Sequence, residues 1–185
     1  MRRRSVRSTA GGLVFLLLAL VGGCRSNGQV LMGAPSVAVA DNADPSFSVG
    51  VVPTMAPPVR VGTVLGFQLS SSESGFAYLY LINASGEVTR LAENLPLAAG
   101  MQAAYPVPDD GIRIRASAPA GVDRLILLVT RQPFVGFTNT QGELATTPLM
   151  LASSAEAFLE SLNEATEELA PRSWAVAEGR VEVVD

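Results

Sequence analysis

The run Phe-Ala-Tyr-Leu-Tyr-Leu-Ile at residues 76–82 is the tightest constraint in this sequence. Seven apolar side chains in a row fall well short of the roughly 20 that a membrane-crossing helix needs. They have the length and composition of a strand buried on both faces. Asn83-Ala84-Ser85-Gly86 follows as a polar turn and leads into Glu87-Val88-Thr89-Arg90-Leu91, so the pair predicts a β-hairpin. Shorter runs of strand character recur at 47–51, around Val61, Leu65, Phe67 and Leu69, and at 101–107, 112–116 and 125–130. Between them stand Ser70-Ser71-Ser72-Glu73-Ser74-Gly75, Pro108-Asp109-Asp110-Gly111 and Pro119-Ala120-Gly121. Turn signals at such regular spacing predict a mainly β single domain, an antiparallel β-sandwich or a partly open barrel.

One helix interrupts the pattern, at about 153–169. Ser153-Ser154-Ala155-Glu156 fits a capping box, with the serine oxygen holding a free N–H and the glutamate reaching back. Phe158, Leu162, Ala165 and Leu169 mark an apolar face, and Pro171 closes the helix. The other side carries Glu156, Glu160, Glu164 and Glu168 at four-residue spacing, with no arginine on the helix between them. Like charges so spaced repel, so packing must hold this helix in place. Beyond it, 174–177 and 180–184 read as two short strands, or as one strand with an irregularity at Gly179.

The N-terminus is a different kind of sequence. Arg2, Arg3, Arg4 and Arg7 precede an unbroken run of nine apolar residues at 13–21, and then come Gly22, Gly23 and Cys24, the single cysteine. A basic start, a short apolar centre and small residues before a cut site make a signal peptide over residues 1–23. Val21-Gly22-Gly23-Cys24 resembles a bacterial lipobox. The resemblance implies lipidation of Cys24 and a membrane anchor, since two or three acyl chains hold stably where one does not. Arg25, in place of an aspartate, implies the periplasmic face of the outer membrane. Residues 24–46 are small and weakly patterned and read as a flexible tether, which leaves 47–185 as the β-rich domain.

Composition closes several doors. The chain has no histidine, all 13 basic residues are arginine, and one thiol cannot form an internal disulfide. Ser-His-Asp and Cys-His catalysis and a His/Cys zinc site are therefore excluded. The overall charge of −4 hides a split, because from Cys24 onward nine arginines face all 17 acids, a balance of −8. Such a domain is not expected to bind nucleic acid.

Val61-Gly62, Phe67, Ser74-Gly75-Phe76-Ala77-Tyr78-Leu79, Gly86-Glu87-Val88-Thr89-Arg90-Leu91 and Asn94 also form a familiar series. Together with Ala99-Gly100, Tyr105-Pro106-Val107-Pro108 and Pro119-Ala120-Gly121, they resemble the bacterial "domain of unknown function 4384" family from Phe47 to about Thr130. Where that family tends to have a Phe-Pro-Asn-like step, this chain has Ala92-Glu93-Asn94. That family occurs in envelope proteins and as an appendage to kinase or peptidase domains, so the resemblance implies an auxiliary module and assigns no functional residues.

Few candidate sites emerge. Asp109-Asp110 could offer oxygens to Ca²⁺, but Pro-Asp-Asp-Gly is first of all a turn, and no metal or cofactor is expected. The serines of 70–74 have no histidine or lysine to activate them. Residues 132–151 join the last strand to the helix and carry Phe134, Val135 and Phe137 around Gly136. These aromatics either form an exposed tip suited to a protein partner or close one end of the core through another short strand. The glutamate ridge of Glu156, Glu160 and Glu164 is a second possible partner surface. The expectation is a non-catalytic envelope lipoprotein whose β domain is a protein-interaction or accessory module. The alternative is a small-ligand or glycan-binding lipoprotein, with a concave site lined by Trp174 or by Tyr78, Tyr80 and Tyr105.

Overall fold

The computed structural model describes residues 38–39, 42–134 and 148–185. Cys24, Val135 and Phe137 lie outside these residues. In chain order the strands begin with β1 (Val49–Pro53), β2 (Val59–Arg60), β3 (Val64–Leu65) and β4 (Phe67–Ser71). They continue with β5 (Gly75–Ile82), β6 (Glu87–Leu97), β7 (Gln102–Tyr105), β8 (Ile114–Arg115) and β9 (Gly121–Thr130). β10 (Leu149–Ser154) runs into the helix α1 (Ala155–Glu167), and β11 (Trp174–Val184) follows.

Two sheets carry the fold. Six strands in the order β10-β6-β5-β9-β11-β2 form the large sheet and β1-β4-β7 the small one, while β3 and β8 make a separate ladder. Among the described residues neither sheet closes into a barrel, and the form is consistent with an open sandwich. The described residues fall within one compact unit. Pairing is antiparallel with one exception to the sequence reading: β2 runs parallel to β11, with Val59 opposite Val183. The chain reaches this edge by crossing over from β1 in the other sheet, and that crossing sets its direction.

The hairpin forms as its sequence predicts. Asn83 N–H donates to Glu87 O, and Gly86 N–H to Asn83 O; Gly86 takes φ 83°, a conformation natural to glycine. β5 is central, flanked by β6 and β9, and both its faces are covered. Ala77, Leu79 and Leu81 join Phe67, Leu69, Leu125, Leu127 and Val181 in the core between the sheets. Tyr78, Tyr80 and Ile82 point the other way and meet Ile126, Leu128, Trp174 and the Phe158, Leu159 and Leu162 side chains of α1. Each fully buried large apolar side chain stabilises the fold by about 1.5–3 kcal/mol relative to exposure.

Three local expectations change. The capping box shifts by one residue: Ser154, not Ser153, is the N-cap, and its Oγ accepts from Ala157 N–H at 3.3 Å. Glu156 is therefore second in the helix, one position short of where a box glutamate reaches back. The segment after the helix is one continuous strand, paired with β9 from Trp174 through Val183 without a slip. Gly179 is needed for a close approach rather than an irregularity, because a Cβ there would stand 2.8 Å from Val51 O. Finally, 132–151 is not all connection, since β10 occupies its end and pairs with β6 at Arg90, Thr89 and Val88.

The N-terminal approach is tied down before β1. Asn42 is buried and its Nδ2 donates to Pro171 O and Trp174 O, both at 2.6 Å. Ser46 Oγ donates to Arg172 O at 2.8 Å, and the Arg131 guanidinium lies 5.8 Å from the centre of the Phe47 ring. Residues 42–46, the end of the stretch read as tether, thus lie on the domain.

Candidate functional site

The polar side chains that converge inside this domain do so because β6 is bulged twice. Tyr80 stands opposite Arg90, Leu79 opposite Ala92, and Ala77 opposite Leu95. Leu91 is therefore an extra residue, and Glu93 and Asn94 together face Tyr78. A bulge re-aims the side chains that follow it. Leu91 and Ala92 both enter the core between the sheets, and Arg90 and Glu93, three residues apart, reach each other. Asn94 completes the second bulge with φ 52°.

The cluster lies on the helix side of the large sheet. Arg90, only 2% exposed, places Nη1 2.9 Å from Glu93 Oε2. The Tyr78 hydroxyl donates toward Asn94 Oδ1 and toward the Phe134 carbonyl, at 2.9 Å from the latter, and accepts from Phe134 N–H. The Phe134 ring is half-buried and meets Tyr78 edge to face, 6.3 Å between centroids. Tyr80 packs on Phe158 with centroids 4.7 Å apart. Burial raises both phenol pKa values, which the Phe134 backbone bond partly opposes at Tyr78 and the Arg90 charge at Tyr80. Both hydroxyls stay protonated at neutral pH, and that of Tyr78 serves as a hydrogen-bonding group. Arg90 Nε, Glu93 Oε1 and Trp174 Nε1 are buried without a hydrogen-bond partner among the described residues. Such a network fixes geometry more than it adds stability.

The other candidate residues scatter. Tyr105 belongs to the opposite core, where its hydroxyl donates to Leu91 O. The three tyrosines named as one possible lining thus divide between two cores, and they and Trp174, the other candidate, are all buried. Asp109 and Asp110 are exposed on the turn before β8; Asp110 Oδ1 accepts from Ile112 N–H at 2.8 Å, as a turn carboxylate does. They border a shallow depression of about 420 Å³. Among the described residues no three acidic side chains are grouped as metal ligands would be.

The serine-rich turn is a set of braces. Ser71 Oγ donates to Glu73 O, Ser72 Oγ accepts from Ser48 N–H, and Ser74 Oγ accepts from Ala99 N–H. Glu156, Glu160 and Glu164 are all exposed on α1, with Glu167 and Glu168 beside them, while Phe158, Leu159, Leu162 and Thr166 turn inward.

Asp123 is a site that sequence reading missed. It is 1% exposed on β9 and accepts from Ala84 N–H of the hairpin turn at 3.0 Å, and burial pushes its carboxyl up to about 6. On the helix side of that turn a recess of about 270 Å³ opens, lined by Ile82, Val122, Arg124 and Ala155 among others. An aspartate ahead of a long apolar run was the available signal. Nothing comparable marks Arg90 and Glu93, because only the bulge brings them together.

No curated protein and no solved structure matches this chain. Residues 58–133, which run from just before β2 to just beyond β9, match the family model described as Domain of unknown function (DUF4384), the family this part of the sequence resembles.

Proposed function

We propose that this chain is a lipid-anchored protein of the bacterial cell envelope whose β domain works as a non-catalytic interaction or accessory module. The observation that carries the reading is Val21-Gly22-Gly23-Cys24 behind four arginines and nine apolar residues. The sole cysteine of the chain stands where a lipid-bearing cysteine is required. Cys24 holds the membrane, and Arg25 favours the periplasmic face of the outer membrane. Two further features support an accessory role. The Tyr78 and Tyr80 rings lie with Phe158 and Leu162 of α1, and the exposed Glu156, Glu160 and Glu164 of α1 form an acidic face that suits a partner of the envelope.

The test is metabolic labelling with a radioactive or clickable fatty acid in a bacterial host, followed by membrane fractionation. The parent chain takes up label and sediments with membranes, whereas Cys24→Ser does neither. Label retained by Cys24→Ser, or a parent chain that stays unlabelled, overturns the anchor. Cross-linking of the anchored chain followed by capture then tests the module, and the expected result is one recurring envelope protein.

A further inference from the structure

The turn between β5 and β6 is seated on two other elements. Ala84 N–H donates to Oδ1 of the buried Asp123 on β9 at 3.0 Å. Gly121, two residues earlier, lies against the same turn, since a Cβ there would stand 2.6 Å from the Ala84 Cβ. At the far end of the turn Gly86 O accepts from the N–H of Ala155, the first residue of α1, at 3.0 Å. The recess of about 270 Å³ beside the turn, bordered by Val122 and Ala155, leaves it room to move.

The charges around Asp123 lead away from it. Arg124 takes the opposite face of β9 and meets Glu178 of β11. Val181 of β11 stands opposite Asp123, so its neighbours Arg180 and Glu182 take that opposite face as well. Glu87 closes the turn, exposed and bonded to Asn83 Nδ2. On the segments beyond, Arg60 donates to Asp185 O and Arg115 to Gly62 O. An ionised Asp123 would rest on the Ala84 bond beside aliphatic side chains, where a charge is costly to bury.

We propose that Asp123 and the 83–86 turn form a pH-operated latch on the start of α1, closed while the carboxyl is neutral and released as it ionises. Ionisation is least costly once water reaches the carboxylate. Leu125 and Val181 beside it are fully buried, whereas Ala84 and Gly86 are half-buried, so the turn is the cover that lifts. Through Gly86 the release passes to Ala155 and the first turn of α1. Burial holds the carboxyl up at about 6 in the closed form, against 3.8 for a carboxyl in water. By linkage the open population therefore grows about fiftyfold between pH 4 and pH 7.

The test follows amide exchange by NMR across this pH range, on the full chain with Cys24→Ser in mild detergent. Corrected for intrinsic rates, the protection of the Ala84 and Ala155 amides should fall by about fiftyfold from pH 4 to pH 7. The Leu127 amide, in the middle of β9, should stay better protected at every pH, as a local opening requires. Asp123→Asn keeps an acceptor for Ala84 N–H without the charge, so it should hold both amides near their low-pH protection throughout. Protection of Ala84 or Ala155 that does not change with pH in the parent chain overturns the proposal. So does protection at Ala84 that equals that of Leu127 at each pH, because the whole domain and not the turn then opens. A fall that Asp123→Asn leaves in place overturns it too.

Discussion

On one face of the large sheet Leu79, Leu125, Leu127 and Val181 meet the small sheet as plain aliphatic side chains. On the other, Tyr78, Tyr80 and Trp174 lie beneath α1 in company with the Arg90–Glu93 pair. The first face rewards burial alone, and many aliphatic combinations would satisfy it. The second depends on which residues stand opposite one another. Arg90 and Glu93 share a face because Leu91 is the extra residue between them, and the Tyr78 hydroxyl bonds both Asn94 of β6 and the backbone of Phe134. The aliphatic face depends on burial, and the polar face depends on the bulged form of β6.

The largest effect expected on this contrast is at the aliphatic face. Leu127→Ala, at a side chain with no exposure, should cost about 4 kcal/mol through lost burial and the cavity left behind. Urea unfolding of the parent and the variant measures it directly. The polar face should answer differently. Arg90→Ala leaves the Glu93 carboxylate partly buried and unpaired and should cost about 3 kcal/mol. The double replacement Arg90→Met with Glu93→Leu should recover most of that loss, because it removes both charges together. If the double variant is as unstable as the single one, the pair contributes stability itself and the contrast between the faces fails.

Asp123 qualifies the contrast, since it lies two residues ahead of Leu125 on the same side of β9. Its carboxyl is raised from 3.8 to about 6 by burial, against the opposing bond from Ala84 N–H. The folded protein therefore holds a proton that the unfolded chain has released between these values. By linkage, the stability this group contributes is fully present below about pH 4 and is lost as pH rises through about 6. Asp123→Asn should abolish that slope, which denaturation midpoints at several pH values between 4 and 7 would reveal. A slope unchanged by Asp123→Asn would assign it to another group.

The parts of this fold that were legible are those in which local chemistry and tertiary structure agree. Residues 76–82 had the length and continuity of a central strand, and Asn83 to Gly86 had the composition of its turn. β2 was hidden because two residues after Pro57-Pro58 carry no period, and its parallel pairing depends on a chain crossing that no local pattern encodes. β10 was hidden because Leu149-Met150-Leu151 is too short to separate from the connection before it. Arg90 and Glu93 were hidden for a different reason. In a regular strand residues three apart point to opposite faces, so alternation predicts that they never meet. Only the insertion of Leu91 reverses this. The serines of 70–74 were read as lacking an activating base, and the structure adds what they do instead.

The smallest effect separates stability from interaction on the outer surface of α1. Glu160 has Glu156 four residues before it and Glu164 four residues after it, all exposed. Glu160→Arg turns two repulsive pairs into two attractive ones, each worth about 0.2–0.5 kcal/mol, so the helix should gain roughly 1 kcal/mol at low salt. Thermal unfolding at low and high salt reads the gain, which should shrink as salt screens the pairs. If the ridge serves a partner in the envelope, the same substitution should weaken cross-linked capture even as the domain becomes more stable. Those opposite signs are the informative result, since an acidic face kept only for solubility would give the gain in stability and leave capture unchanged.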